Sequence, residues 1–288
     1  APSDLDSSPA GARGCTGMTF DYRITLAAHV ATEIPDEHAY AALWSEQVSG
    51  LDSLTAQAVQ GGLLADRMAW VFVAGYQCAL RHTFAELSTD GIAAFAVSED
   101  RKNDPPLPGV KTLHHTGGVR VSGYKTWVAC SASLSHLVIK ADRGEAARYY
   151  SIERAAEGLN LTDKHGGFLA EMSQGIAHLD HVAVPTPLDA SQVVHFGLRE
   201  TLYIYMAFCA WAGKFAAQAE HCEHLIQRLA ALVVNVPADV EGLAELKDVD
   251  HAVQALRAEV PDTATSAWAT DQRLIRMYSP GLQTRQVT

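Results

Sequence analysis

Val121-Ser122-Gly123-Tyr124-Lys125-Thr126-Trp127-Val128, followed by His136-Leu137-Val138-Ile139-Lys140-Ala141, is the stretch on which the fold of this chain is read. Val119-Arg120-Val121 and the run from Tyr124 to Val128 flank Ser122-Gly123, which predicts a β-hairpin turning at that dipeptide. The run from His136 to Lys140 reads as the next strand. Working outward, Ile92 to Val97, Arg148 to Ile152, Leu159 to Leu161 and His178 to Val184 predict further short strands. Pro105-Pro106-Leu107-Pro108-Gly109 excludes regular structure, and Pro185 and Pro187 close the segment. Together these strands predict a small barrel or sandwich.

On either side the texture is helical. Pro35 followed by Asp36 and Glu37 suits a first helical turn, and Gly50 suits a C-terminal cap. A second helix is expected after Ser53, stopping at Gly61-Gly62. A third runs from Leu63 towards Leu87; its centre (Met68, Trp70, Val71, Phe72, Val73) is apolar on most faces and predicts burial. After the strands, Phe196 to about Val234 is helical, with Gly197 and Gly213 as weak points, and Pro237 ends it. Further helices are expected from Val240 to Val260 and from Thr265 to Tyr278. The order helices, strands, helices predicts an α+β chain. It divides into a disordered tail over 1–18, an N-terminal helical domain over 19–90, a middle β-barrel or sandwich domain over 91–190 and a C-terminal helical bundle over 191–288.

The composition narrows the function. Of 288 residues 48% are hydrophobic and 19% charged, so neither a wholly disordered chain nor a membrane protein fits. The richest apolar run, Leu202 to Ala212, is too short to span a bilayer. Lys and Arg total 22 against 33 acids, a formal charge of −11. A field of that sign argues against nucleic acid and anionic membrane as partners, but leaves room for a small anionic ligand held by local donors. The start, APSDLDSSPAGARGCTG, lacks the basic and apolar regions of a secretory signal. Five cysteines, odd in number and without a CxxC pair, read as reduced thiols of a cytoplasmic protein.

Several segments in order resemble the acyl-CoA dehydrogenases and their flavoprotein relatives. Val121 to Val128 and the following strand resemble that family's NG-x-K-x-W hairpin. Phe95-Ala96-Val97-Ser98-Glu99 resembles its strand ending in Thr/Ser-Glu. Asp163-Lys164-His165-Gly166 and the segment from His178 to Pro185 resemble its Asp-Lys-x-Gly segment and closing Val-x-Val-Pro strand. Asp271-Gln272-Arg273, Met277-Tyr278 and Gln283 are similar to its terminal RD-x-R…IYEGT-x-Q segment. The resemblance implies FAD between the β-domain and the C-terminal helices, with Trp127 as the indole beside the flavin and Ser98 as a hydroxyl near it. It also implies wall or backbone contacts from Phe95 and Val97, and places Tyr278 and Gln283 on the segment that crosses the cofactor. The competing reading makes Trp127 a core aromatic and Ser98 a strand-end turn former.

The sequence departs from the family at four places. Ser279, followed by Pro280, stands at the substrate-side position where the family's catalytic glutamate follows the tyrosine. A neutral serine does not abstract a proton unless a base activates it. Some members carry the glutamate on the first long C-terminal helix, which makes Glu200 in Leu198-Arg199-Glu200-Thr201-Leu202 the candidate base. An acid in a first helical turn also simply favours the dipole. Glu99 to Asp104 replaces the segment that holds the acyl-CoA arm, and Arg101 there is a candidate phosphate contact. Ala129 stands at a flavin-side position where many members donate a hydroxyl, a loss of about 1 kcal/mol. The C-terminal helical domain, 92 residues from Gly197 to Thr288, is short for the family. The missing piece is expected between Val234 and Ser266, and with it the usual cationic partner of the pyrophosphate.

These features imply an FAD-dependent oxidoreductase acting on an acyl-CoA or similar acyl thioester. An electron-acceptor flavoprotein is an expected partner, and a homodimer or homotetramer, or else a heteromer, the expected assembly. Two further readings stand beside it: a non-catalytic scaffold or heteromer subunit, and a flavin-dependent monooxygenase of the same fold. His221-Cys222-Glu223-His224 has helical metal-ligand spacing but no second ligand pair, so a solvated helix face is expected and no metal.

Overall fold

The computed structural model describes residues 33–164, 166–215 and 219–286. The tail expected over 1–18 lies outside the described residues, as does His165. Among the described residues three helices precede the strands: α1 (Glu37–Gln47), α2 (Leu54–Leu64) and α3 (Met68–Thr83). Asp36 caps α1 by accepting from the Ala39 amide at 2.9 Å, and Ser53 caps α2 by accepting from Ala56 at 3.1 Å. These caps satisfy donors that a helix start leaves open. Contrary to the expected stop, α2 runs through Gly61-Gly62. A Cβ on Gly61 would sit 2.7 Å from the Ala74 side chain, and one on Gly62 2.2 Å from the Ala207 carbonyl oxygen. The glycines are there for close helix contact.

Seven strands follow: β1 (Ala93–Ala96), β2 (Lys111–His115), β3 (Gly118–Ala129), β4 (His136–Ala141), β5 (Arg148–Glu153), β6 (Leu159–Lys164) and β7 (Gln174–Ala183). They form a three-stranded sheet β1-β4-β5, with β1 parallel to β4, and a four-stranded antiparallel sheet β2-β3-β7-β6. Of the expected barrel or sandwich, the two separate sheets give a sandwich. Its core holds Val121, Val128, Leu137, Ile139, Ile152, Leu179 and Val182. The turn expected at Ser122-Gly123 is instead a bulge. β3 is continuous, its register against β7 shifts between Val121 and Gly123, and the chain reverses at Thr116-Gly117. Gly123 has φ +131° and its missing Cβ leaves room for the Gly109 carbonyl, which is why glycine sits there.

The remaining helices are α4 (Phe196–Ala212), α5 (Ala219–Val234), α6 (Val240–Glu259), α7 (Trp268–Asp271) and α8 (Arg273–Gln283). From Leu202 to Ala212 every residue of α4 is buried. It packs on α2 and α3, so the helices before and after the sandwich share one core that includes Trp44, Trp70, Trp211 and Trp268.

The three-stranded sheet is fastened to this core along the free edge of β1. The Gln77 amide of α3 accepts from Ala93 N and donates to Ala93 O, both at 2.8 Å. The Tyr76 hydroxyl accepts from Phe95 N at 2.7 Å and donates to Phe95 O at 3.3 Å. Two side chains thus pair with alternate residues as a neighbouring strand would, satisfying backbone groups that burial would otherwise orphan.

Candidate active site

The helical core and the sandwich meet at Trp127. The bulge upstream and a second register shift between Lys125 and Val128 set this end of β3, and the indole is half-buried. Its edge contacts Phe72 and Tyr76 of α3, with centroids 6.3 and 6.4 Å away, and Nε1 donates to Gln174 Oε1 at 3.1 Å. On its open side lies a cleft of about 1290 Å³ lined by Val97, Ser98, Arg101, Thr126 and Trp127. Val97 and Ser98 are exposed, and the Ser98 carbonyl accepts from Thr126 N at 2.9 Å, which ties the end of β1 to β3. Phe95 lies behind this wall: its ring is buried among Phe84, Tyr149 and Phe196. Ala129 is fully buried and does not reach the cleft.

The cleft also carries charge, and Lys164 Nζ donates to the Thr126 carbonyl at 2.7 Å next to the indole. Arg101, Lys102, Lys140, Arg143 and Lys164 line the cleft against Glu99, Asp100 and Asp142. Glu99 is committed to two cations, the fully buried Lys125 at 3.2 Å and the exposed Arg143. Burial alone would raise the Glu99 carboxyl. The hydrogen bonds and charges of Arg143 and Lys125 outweigh that and hold it below the usual carboxylate range. Asp100 shapes the loop by accepting from Lys102 N at 2.9 Å and Leu107 N at 2.8 Å. The positive balance of the cleft therefore stands against a chain of charge −11.

Glu200 lies on α4, one turn beyond Phe196, whose ring meets Tyr76 at 6.2 Å. No hydrogen bond or ion pair joins its carboxyl to the described residues. Burial pushes it up to about 7. Its charge is felt by the phenols of Tyr76 and Tyr278, both raised first by burial and further by this carboxylate. Tyr76 thus links Glu200 and Trp127: its ring meets Trp127, and its phenol, like that of Tyr278, lies within reach of the Glu200 charge. The sequence reading missed Tyr76. A hydroxyl beside a glutamine in the otherwise apolar run of α3 was the signal available for it.

Ser279 and Gln283 point elsewhere. Ser279 Oγ donates to Asp250 Oδ2 at 2.6 Å, and Gln283 Nε2 donates to the same oxygen at 2.6 Å and to Lys247 O at 3.1 Å. Tyr205 donates to Asp250 Oδ1 at 2.8 Å. Both sequence candidates spend their polar groups on a buried carboxylate between α6 and α8. Among the described residues no group of three or more His, Cys, Asp or Glu side chains converges to hold a metal ion. Nor is any helix among them long and apolar enough to cross a membrane.

No family model and no curated protein matches the sequence. Solved structures do match the shape. A FAD-dependent dehydrogenase aligns over 91% of this chain and 90% of its own, at TM-score 0.58 and 12% identity. Butyryl-CoA dehydrogenase from Megasphaera elsdenii aligns over 87% and 90%, at 0.57 and 10%. PigA with FAD and proline aligns over 92% and 91%, at 0.56 and 12%. The chain has the acyl-CoA dehydrogenase fold. At such identities the likeness is one of architecture.

The residues present fit a flavin dinucleotide. The cleft lining combines a half-buried indole with several cations, groups that suit an aromatic ring system carrying phosphates.

Proposed function

We propose that this protein is an FAD-dependent dehydrogenase of an acyl thioester, with Glu200 as the base that removes the α-proton. The observation that carries this reading is the Glu200 carboxyl on α4, without a hydrogen-bond or ionic partner among the described residues, raised by desolvation and felt by the phenols of Tyr76 and Tyr278. A buried carboxyl held near neutrality is suited to proton transfer at physiological pH. Trp127, Val97 and Ser98 would hold the ring portion of the cofactor, and Arg101 would meet a phosphate of the acyl-CoA arm. When bound, the flavin supplies the two-electron acceptor for the hydride leaving the β-carbon. Glu200 takes the proton from the α-carbon, and the electrons of that C–H bond become the new carbon–carbon double bond. Phe72, Tyr76 and Phe196 pack in sequence into an aromatic wall that begins one turn before Glu200. A separate electron-acceptor flavoprotein would reoxidise the cofactor.

Glu200→Gln tests the assignment. The amide cannot accept the proton, so loss of at least about a hundredfold in substrate-dependent flavin bleaching is expected. The same variant should still bind flavin, as read from its visible absorption. Wild-type activity should rise as pH climbs through about 7, because only the ionised carboxyl is a base. Bleaching at the wild-type rate by Glu200→Gln would remove Glu200 from the role. Protein that binds no flavin would favour the scaffold reading instead.

A further inference from the structure

We infer that the Asp271-Gln272-Arg273 segment, where α7 meets α8, fixes the orientation of the Trp127 indole through a chain of contacts across the turn between β6 and β7. Its bearing on function rests on the reading of Trp127 as the residue beside the flavin. The indole needs such a hold. Thr126 and Trp127 together face a single residue of β7, Ile176, because the register shifts between Lys125 and Val128. At a bulge of this kind the regular alternation no longer aims the side chain.

The first links run through Gln174. Trp127 Nε1 donates to Gln174 Oε1 at 3.1 Å, and Gln174 Nε2 donates to the Phe168 carbonyl at 2.9 Å. An indole N–H cannot accept and a carbonyl cannot donate, so a single orientation of the amide satisfies both. The next links reach the helices. The Arg273 guanidinium lies over the Phe168 ring, 3.8 Å from its centroid, and Asp271 Oδ1 accepts from Leu169 N at 3.3 Å. Leu169 has φ +49°, a region that a residue with a side chain keeps only where its surroundings hold it. Here its side chain is buried in the helical core and its amide is bound by Asp271, itself 2% exposed. The other end of the turn is tied to α1, since Glu37 accepts from both the amide and the hydroxyl of Ser173. The Phe168 carbonyl is thus a fixed point set by the helices, and Gln174 passes its position to the indole. Asp271, Arg273 and Gln174 do not line the cleft; they are positioning residues that act through Trp127.

The test reads the indole N–H signals in a proton–nitrogen correlation spectrum of the protein without flavin. The chain has five tryptophans, and Trp127→Phe assigns the Trp127 signal. Gln174→Leu removes the acceptor, so that signal is expected to move upfield and its proton to exchange about tenfold faster. Arg273→Leu and Asp271→Asn should move the same signal the same way by less, while Trp44 on α1 stays in place. Arg273→Lys keeps a cation over the ring and should restore the wild-type position. Arg273 is exposed, so its variants leave the core intact. Gln174→Glu still accepts from the indole but cannot donate to the Phe168 carbonyl, and in that background Arg273→Leu should add no further shift. A Trp127 signal that stays at its wild-type position in both Arg273→Leu and Asp271→Asn would overturn the inference. With FAD added, Arg273→Leu should shift the visible flavin band, and should not do so in a Trp127→Phe background. Protein that binds no FAD, or whose flavin band ignores these variants while the indole signal moves, would overturn the flavin reading of Trp127 and leave the chain of contacts standing.

Discussion

Lys125 has no exposed surface and a single ionic partner, Glu99, whose other oxygen is shared with the exposed Arg143. The two cations should respond very differently to removal. Glu99→Gln leaves a buried ammonium unpaired and is expected to cost about 3 kcal/mol, whereas Arg143→Ala removes a solvent-facing partner and should cost under about 1 kcal/mol. Urea denaturation of the two variants checks the contrast. Since the Glu99 carboxyl sits lower in the folded state than in the unfolded chain, its contribution is complete above pH ~4.5 and fades as pH falls through the folded value. Glu200 has the opposite sign. Its carboxyl is raised on folding, so stability is lost as pH rises towards and through about 7. Glu200→Gln should therefore be more stable than wild type at pH 8, by about 2 kcal/mol after allowance for partial exposure, while losing activity. The sequence motif singled out Trp127, and the structure puts its half-buried indole on the cleft wall. Ser279 and Gln283 matched a motif equally well, yet nothing in a one-dimensional pattern reveals that a buried Asp250 on another helix claims their donors.

At the scale of elements, α3 does more than supply apolar surface. Its Tyr76 and Gln77 replace a missing strand along β1. Tyr76→Phe keeps the ring contacts with Trp127 but leaves an amide and a carbonyl of Phe95 unpaired, at an expected cost of about 2 kcal/mol by thermal or urea unfolding. Most elements were legible from local pattern: the runs of β4 and β5 and the long helices α4 and α6 begin where the sequence changes period. The two misreadings share a cause. Gly61-Gly62 and Ser122-Gly123 look like breaks to a reader who has only neighbours in sequence. In the molecule they are places where another backbone comes close: Ala207 in the first case, Gly109 in the second.

Across the whole molecule, Asp250 joins three helices by accepting from Tyr205 on α4 and from Ser279 and Gln283 on α8. Asp250→Ala should strand these donors, lower stability by about 3 kcal/mol and loosen α8. Hydrogen exchange of the Arg273–Gln283 amides checks it, since a purely local loss would leave their protection unchanged. The order of layers was legible from texture alone; the joints between layers were not, because each is made by polar side chains from elements far apart in sequence. One such joint has a further consequence. While Tyr76 and Gln77 occupy the outer edge of β1, that edge cannot serve as a template for a strand of another chain. A partial opening that lifts α3 away would bare an apolar edge, Ala93-Ala94-Phe95-Ala96, with unpaired amides and carbonyls. Tyr76 and Gln77 thus also guard the protein against edge-to-edge aggregation.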